Sequence, residues 1–141
     1  MIYVLDASAI LRFTDKEPGF GRVRHLLHDA AQGKNQVVLS AVNWGEVVAV
    51  LHRKSNASAE AILANLAALP ISVIPVDRAA AEQAGKFRWK HNVPYADAFA
   101  GALTLEYVNS EGSDQATLVT ADFDFKNVLK GAIRIEFLPQ K

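Results

Sequence analysis

Acidic side chains occur in apolar surroundings at four places along the 141-residue chain. Asp6 follows the apolar run MIYVL, Glu46 lies within AVNWGEVVAVL, and Asp97 lies within VPYADAFAGALTL. Asp122 and Asp124 both lie within LVTADFDF. Carboxylates are rarely fully buried without a partner, and none of these five has a lysine or arginine as its direct neighbour in sequence. Their placement indicates that the carboxylates share a positively charged partner, which the residues next to them in sequence do not supply.

A divalent cation is the partner that such a group of carboxylates predicts. Like charges that meet in one cleft raise one another's pKa unless a cation neutralises them. Carboxylate oxygens without a nearby cysteine or histidine suit Mg²⁺ or Mn²⁺ better than zinc, and Mg²⁺ leaves coordination positions for water and phosphate. A site of this kind activates water and stabilises charge on phosphate oxygens. The pattern therefore predicts phosphodiester hydrolysis.

Each carboxylate also has a purely structural explanation when it is considered alone. Asp6 and Asp122 could cap helices, and Asp97 could be a first-turn carboxylate that the helix dipole favours. Glu46 could pair with a lysine or an arginine. The sequence leaves both explanations open for each residue, and only the group as a whole favours a site.

Five short apolar segments separated by helical ones predict the sheet that positions these residues. The predicted strands cover residues 1–5, 36–40, 71–76, 116–120 and 133–137. Pro75 indicates that the third strand lies at an edge or ends there, and Ser55-Asn56 breaks the helical stretch after the second strand. The alternation predicts one α/β domain over residues 1–141, with three α/β/α layers and a mainly parallel five-stranded sheet. Asp6 and Asp122 then lie at the same, carboxyl edge of the sheet.

Composition argues against several other classes of protein and site. The chain has 15 basic and 15 acidic residues, and this net charge of zero argues against a protein that coats nucleic acid by bulk attraction. The absence of cysteine excludes disulfides and thiolate metal sites. No apolar run approaches the ~18 residues of a membrane span. We expect a cytoplasmic protein.

At its acidic motifs the chain resembles the PIN-domain nucleases, and among them the small toxin ribonucleases of VapBC toxin–antitoxin modules. The resemblance covers the whole chain: D-A-S-A-I-L, N-W-G-E-V-V, Y-A-D-A-F-A-G-A-L and L-V-T-A-D-F-D-F match the family's acidic motifs in order and spacing. It implies that Asp6, Glu46, Asp97 and Asp122 are the catalytic carboxylates and hold one or two Mg²⁺ or Mn²⁺ ions. Asp124 matches an acidic position that often supplements the fourth motif.

The resemblance also implies supporting residues and partners. Ser8 and Thr120 match hydroxyl positions that orient the carboxylates or the waters of the metal. The substrate would be RNA, a cognate antitoxin would inhibit the enzyme, and the chain would form a homodimer. Arg12, one or two helical turns beyond the first motif, is a candidate for binding the RNA backbone. Tyr95, within the third motif, is a candidate for stacking on a base.

Three alternatives belong to other classes. A receiver-like phosphoacceptor domain would have paired acidic residues early in the chain and a lysine after its last strand, whereas Asp6 has no acidic neighbour and only residues 138–141 follow the last strand. A phosphatase of the haloacid-dehalogenase type would need Asp-x-Asp after the first strand, where Ala7 and Ser8 stand instead. A protein-binding module that kept this fold without nuclease activity is compatible with the sequence.

Overall fold

The computed structural model describes all 141 residues and contains eleven helices and strands. Their bounds are β1 Ile2–Leu5, α1 Ala7–Thr14, α2 Phe20–Ala31, β2 Gln36–Ser40, α3 Ala41–Ala67, β3 Ile71–Ile74, α4 Arg78–His91, α5 Tyr95–Glu111, β4 Ala116–Thr120, a 3₁₀ helix Phe123–Asn127, and β5 Ile135–Phe137. None of the helices combines the length and apolarity that crossing a bilayer requires.

All five strands are parallel and lie in the order β3-β2-β1-β4-β5. Within the central strand β1, Leu5 lies opposite Leu39 of β2 and Val119 of β4. The carboxyl ends of β1 and β4 are therefore neighbours, and this brings Asp6 beside Thr120. Receiver-type sheets have the order 2-1-3-4-5, so the receiver-like alternative is not supported.

Successive residues of the strands point to opposite faces of the sheet, and each face has its own helical layer. Leu5 and Leu39 pack with buried residues of α1, α2 and α3, whereas Val4 and Val38 pack on the other face with Ala100 of α5. A further apolar cluster joins α4 to the outer side of α5. The three-layer α/β/α prediction is confirmed.

Three strand boundaries differ from the prediction. β1 begins at Ile2, and β3 ends at Ile74 because Pro75 has no N–H to continue the pairing. β5 begins at Ile135, three residues after a turn in which Ala132 N donates to Leu129 O. The predicted break at Ser55-Asn56 is confirmed, because Ser55 has a φ of −157° and a ψ of 79° that are not helical and that kink α3.

Gly101 allows α4 to pack tightly against α5. A Cβ on Gly101 would overlap the ring of Phe87, a residue of α4 that is only 4% exposed. Gly101 lies one turn beyond Asp97, so this close approach of α4 is made beside the start of α5. The glycine is therefore required by packing and not by backbone conformation.

We expect Gly101→Ala to lower the free energy of unfolding by about 1–3 kcal/mol, because the added methyl group forces the Phe87 ring out of its place. Gly85→Ala on α4 is the matched control, since no atom lies within 4 Å of the position a Cβ would take there. That change should raise stability by about 0.5–1 kcal/mol through helix propensity alone. Urea unfolding followed by circular dichroism measures both, and a Gly101→Ala chain as stable as Gly85→Ala would contradict the packing role.

Candidate active site

Asp6 lies directly after β1 and is 1% exposed. Its Oδ1 accepts the N–H of Ala9 at 3.0 Å, so Asp6 is also the N-cap of α1. Ser8 Oγ donates to Oδ1 at 2.7 Å, and Thr120 Oγ1 donates to Oδ2 at 2.5 Å. Both carboxylate oxygens thus have hydrogen-bond donors, and every donor is electrically neutral. Asp6 is a fixed and buried acidic group.

Ser8 and Thr120 connect Asp6 to the backbone that follows β4. The N–H of Ala121 donates to Ser8 Oγ at 2.8 Å, and the N–H of Asp122 donates to Thr120 Oγ1 at 2.9 Å. Each hydroxyl accepts a hydrogen bond from one backbone N–H and donates a hydrogen bond to the carboxylate of Asp6. The two hydroxyls therefore fix the position of Asp6 relative to the loop that carries Asp122.

Asp97, Asp122 and Asp124 are the carboxylates whose oxygens could hold a metal ion, since one oxygen from each lies within 4.8 Å of the others. Asp97 is in the first turn of α5 and is 8% exposed, while Asp122 caps the 3₁₀ helix by accepting the N–H of Asp124 at 2.9 Å. Asp97 Oδ2 is buried without a hydrogen-bond partner. An unpartnered buried acceptor is costly, and a hard cation suits this oxygen together with those of the half-buried Asp122 and the exposed Asp124.

Burial and neighbouring carboxylates raise the pKa of Asp97 to about 8. Desolvation is the largest cause, followed by a hydrogen bond with the carboxyl group of Asp122 and by the negative charges of Asp122, Asp6 and Glu46. Burial likewise raises the pKa of Asp6 to about 6, although its three hydrogen-bond donors favour the charged form. None of the six ion pairs in the chain includes a carboxylate of this group. A bound divalent cation would oppose both pKa shifts.

Glu46 is positioned by Asn43, a residue to which the sequence analysis gave no role. Asn43 is fully buried in the first turn of α3, and its Nδ2 donates to Glu46 Oε1 at 2.7 Å and to Ala96 O at 3.2 Å. Because Ala96 precedes Asp97, one amide joins the carboxylate of α3 to the start of α5. The available signal was a polar side chain three residues before Glu46, on the same face of an apolar helix.

A sequence model of the PIN domain family matches residues 3–130, which include all five carboxylates. The chain belongs to the PIN domain family. Among curated protein sequences, none matches this PIN domain.

Solved structures share the fold of this PIN domain over almost its whole length. VapBC2 from Rickettsia felis, bound to a promoter DNA fragment, is 17% identical with a TM-score of 0.74 over 99% of this chain and 100% of that chain. DNA-bound VapBC from Salmonella typhimurium is 20% identical with a TM-score of 0.65, and the match covers 97% of this chain and 98% of that chain. VapC20 from Mycobacterium tuberculosis, described as a sarcin–ricin-loop-cleaving toxin, is 21% identical with a TM-score of 0.58. The match covers 89% of this chain and 93% of that chain.

Arg12 has a different environment from the one expected. It is 9% exposed, and its Nη1 donates to the carbonyl oxygens of Pro18 and Pro139, both at 2.6 Å. Leu138, next to Pro139, is buried, and its N–H donates to Thr120 O at 2.7 Å. Arg12 therefore fastens the last residues of the PIN domain against α1. An RNA contact at Arg12 stays a prediction, and one nitrogen of its guanidinium already donates to two backbone carbonyls.

Tyr95 is accessible at the start of α5. Its side chain is 47% exposed and packs edge to face on Phe99, with 5.0 Å between the ring centroids. An accessible ring close in sequence to Asp97 is compatible with base stacking, which stays a prediction for Tyr95.

A large groove elsewhere in the surface does not contain the carboxylates. It has a volume of about 830 Å³ and is lined mainly by α4 and α5. None of the five acidic residues of the site lines it. The candidate active site is therefore identified by the convergence of buried charge and not by the size of a cavity.

Asp97→Asn should stabilise the protein at pH 8 in the absence of divalent cations. The pKa of Asp97 is raised from 3.8 to about 8 by folding, so the folded state favours the protonated acid. Between about pH 4 and about pH 8 the unfolded chain therefore releases this proton while the folded chain keeps it, so stability falls as the pH rises, whereas asparagine does not ionise. We expect a melting temperature higher by ~3 °C or more at pH 8, roughly 1 kcal/mol for a chain of this size.

The gain in melting temperature should shrink towards zero as the pH falls below 3.8, where the wild-type acid becomes protonated in both states. Excess Mn²⁺ at pH 8 should also reduce the difference in melting temperature between the variant and the wild type, because a cation bound by the wild-type folded state stabilises that state. Asp114→Asn, an exposed residue just before β4, removes the same charge outside the cluster and should give no such gain. If Asp97→Asn had a lower melting temperature than the wild type at pH 8, the raised pKa of Asp97 in the folded state would be contradicted.

Asn43→Ala should lower the free energy of unfolding by about 1–2 kcal/mol, because it removes a hydrogen bond to Glu46 within α3 and a second one, to Ala96 O, that joins α3 to α5. Asn56→Ala is the matched control, since Asn56 is on the same helix but is exposed and its side chain hydrogen-bonds to His52. The free energy of unfolding of this control variant should stay within about 0.5 kcal/mol of the wild-type value. Equal stabilities of the two variants in urea would show that the Asn43 bonds do not stabilise the fold.

Proposed function

We propose that this PIN domain is a divalent-cation-dependent endoribonuclease and the toxin of a type II toxin–antitoxin system. The observation that carries the proposal is the unpartnered, buried Oδ2 of Asp97, in a group of three carboxylates within 4.8 Å that no lysine or arginine neutralises. Membership of the PIN domain family supports a nuclease, and the similarity in fold to VapBC proteins supports a toxin. VapC20, a structural neighbour, is itself described as a sarcin–ricin-loop-cleaving toxin.

The residues that would hold Mg²⁺ or Mn²⁺ are Asp97, Asp122 and Asp124, with Glu46 and Asp6 close enough to add their charge. A bound ion of this kind supplies Lewis-acid stabilisation of charge on the phosphate oxygens and lowers the pKa of water. The carboxylate oxygens fit such an ion because they are hard donors, and no histidine or cysteine belongs to the group.

The side chains of the protein would each have a distinct part in hydrolysis of the RNA phosphodiester. Asp6 is held by three donors and supplies a fixed negative charge behind the reacting groups. Asp97 has an oxygen without a hydrogen-bond partner, so it would hold the cation together with Asp122 and Asp124. The new bond joins the water oxygen to phosphorus, and the bond that breaks joins phosphorus to an ester oxygen of the RNA backbone. The attacking water loses a proton to the solvent, and the departing ester oxygen takes one up.

The proposed partners are RNA, a cognate antitoxin and a second copy of the chain, acting in the cytoplasm. Support for the antitoxin comes from structural neighbours that were solved as VapBC proteins, including VapBC-1 from Haemophilus influenzae with a TM-score of 0.65.

Cleavage of single-stranded RNA by the purified, partner-free protein tests the proposal. We expect cleavage with Mg²⁺ or Mn²⁺, none with EDTA, and a rate loss of more than about 100-fold for Asp97→Asn, beyond the losses typical of residues that only orient ligands. Asp114→Asn should cleave at the wild-type rate. Cleavage that survives EDTA, or an Asp97→Asn chain as active as the wild type, would refute the assignment.

A further inference from the structure

The outer face of α4 carries an exposed tryptophan among unpaired cations. Trp89 is 85% exposed, although tryptophan is among the residues that proteins bury most on average. Lys86, Arg88 and Lys90 are also exposed, and none of them takes part in an ion pair. One strongly exposed indole is ordinary by itself, but here it stands within five residues of three free positive charges.

This face is joined to the loop that carries the acidic residues. The side chain of Asn127 donates to Asn92 O at 3.0 Å, and the N–H of Leu129 donates to His91 Nδ1 at 3.1 Å. The end of α4 is thereby attached to the segment that begins three residues after Asp124. Trp89 therefore lies on a helix whose end is hydrogen-bonded to the chain segment that follows the carboxylates.

A cluster of carboxylates repels RNA, so cations elsewhere must hold the flanking phosphates. The chain has no net charge and attracts a polyanion only through local groups of cations. Arg12 is engaged by backbone carbonyls, and Lys126 lies over the ring of Phe123 at 4.5 Å. The cations at the end of α4 are free of such contacts.

We propose that the C-terminal half of α4 binds single-stranded RNA beside the scissile phosphate, with Trp89 stacked on a base and Arg88 and Lys90 contacting phosphates. This inference rests on the proposed ribonuclease function and adds the surface that holds its substrate. An unpaired strand is required because a base stacks on an aromatic ring only when it is free of its own helix. Stacking and cationic contacts together form the usual binding mode for single strands.

A second copy of the chain is the competing occupant of this face, and the charges disfavour it. A two-fold axis through the face would bring identical patches together, with Arg88 and Lys90 of one copy near those of the other. Lysine is depleted from protein–protein interfaces, and Trp89 is the only large apolar side chain of α4 that is exposed. A polyanionic strand complements this surface.

The test measures binding of a fluorescein-labelled 12-nucleotide RNA to the full chain carrying Asp97→Asn, by anisotropy at several salt concentrations. Trp89→Ala should weaken binding by about fivefold or more, whereas Trp89→Phe should retain most of the affinity. Arg88→Gln with Lys90→Gln should reduce the slope of log K against log salt by about one. The control pair Arg24→Gln with Lys34→Gln, two exposed and unpaired cations on α2 and before β2, should change neither quantity.

Steady-state cleavage by the protein with Asp97 intact separates this inference from the proposed function. Trp89→Ala should raise KM more than it lowers kcat. If the wild type cleaves RNA but the α4 variants keep its affinity and KM, the inference is wrong and the ribonuclease assignment stands. If Trp89→Ala converts a dimer into monomers in light scattering while its RNA affinity per chain is unchanged, the face binds a second copy and the inference is also wrong. A wild type that neither binds nor cleaves RNA refutes both.

Discussion

The cost of gathering buried negative charge at the carboxyl edge of β1 and β4 is the constraint on which the rest of the site depends. The fold offsets part of this cost with helix N-termini, whose partial positive charge favours nearby carboxylates by about 0.3–1 kcal/mol each. Asp6 is the N-cap of α1, Asp97 lies in the first turn of α5, and Asp122 caps the 3₁₀ helix. The structural and chemical explanations of these residues are therefore not exclusive, since the same carboxylate caps a helix and contributes charge to the site.

The choice of hydrogen-bond donors around the carboxylates follows from the same constraint. Ser8, Thr120 and Asn43 are neutral donors, and the remaining donors are backbone N–H groups. A lysine or arginine in their place would fix the carboxylates equally well but would neutralise them. Neutral donors hold the geometry and leave the negative charge available to a cation. The energetic consequence is a site that destabilises the cation-free fold, as is common where function requires strained or repulsive arrangements.

Much of the architecture follows from local patterns, and the rest depends on contacts between distant residues. Apolar segments of strand length between apolar helices indicate a covered parallel sheet, and a parallel sheet places Asp6 and Asp122 at one edge. The effect of Pro75 on β3 is similarly local. No local pattern indicates that Arg12 bonds to the carbonyl of Pro139, because the two residues are 127 positions apart and the acceptor is a backbone atom that every residue has. Asn43 was missed because its partner Ala96 is likewise defined only by the fold.

The bond between Thr120 and Asp6 joins residues that are 114 positions apart in the chain. Closing so long a loop costs chain entropy, and long-range contacts of this kind slow folding. β1 and β4 must pair before the Thr120 hydroxyl reaches the carboxylate, whereas Ser8 is only two residues from Asp6. A partly folded chain consequently contains every acidic residue but does not hold these residues in the arrangement of the folded site. Catalytic competence in this protein is thus tied to completion of the topology, and no subset of its helices and strands that omits β1 or β4 can possess it.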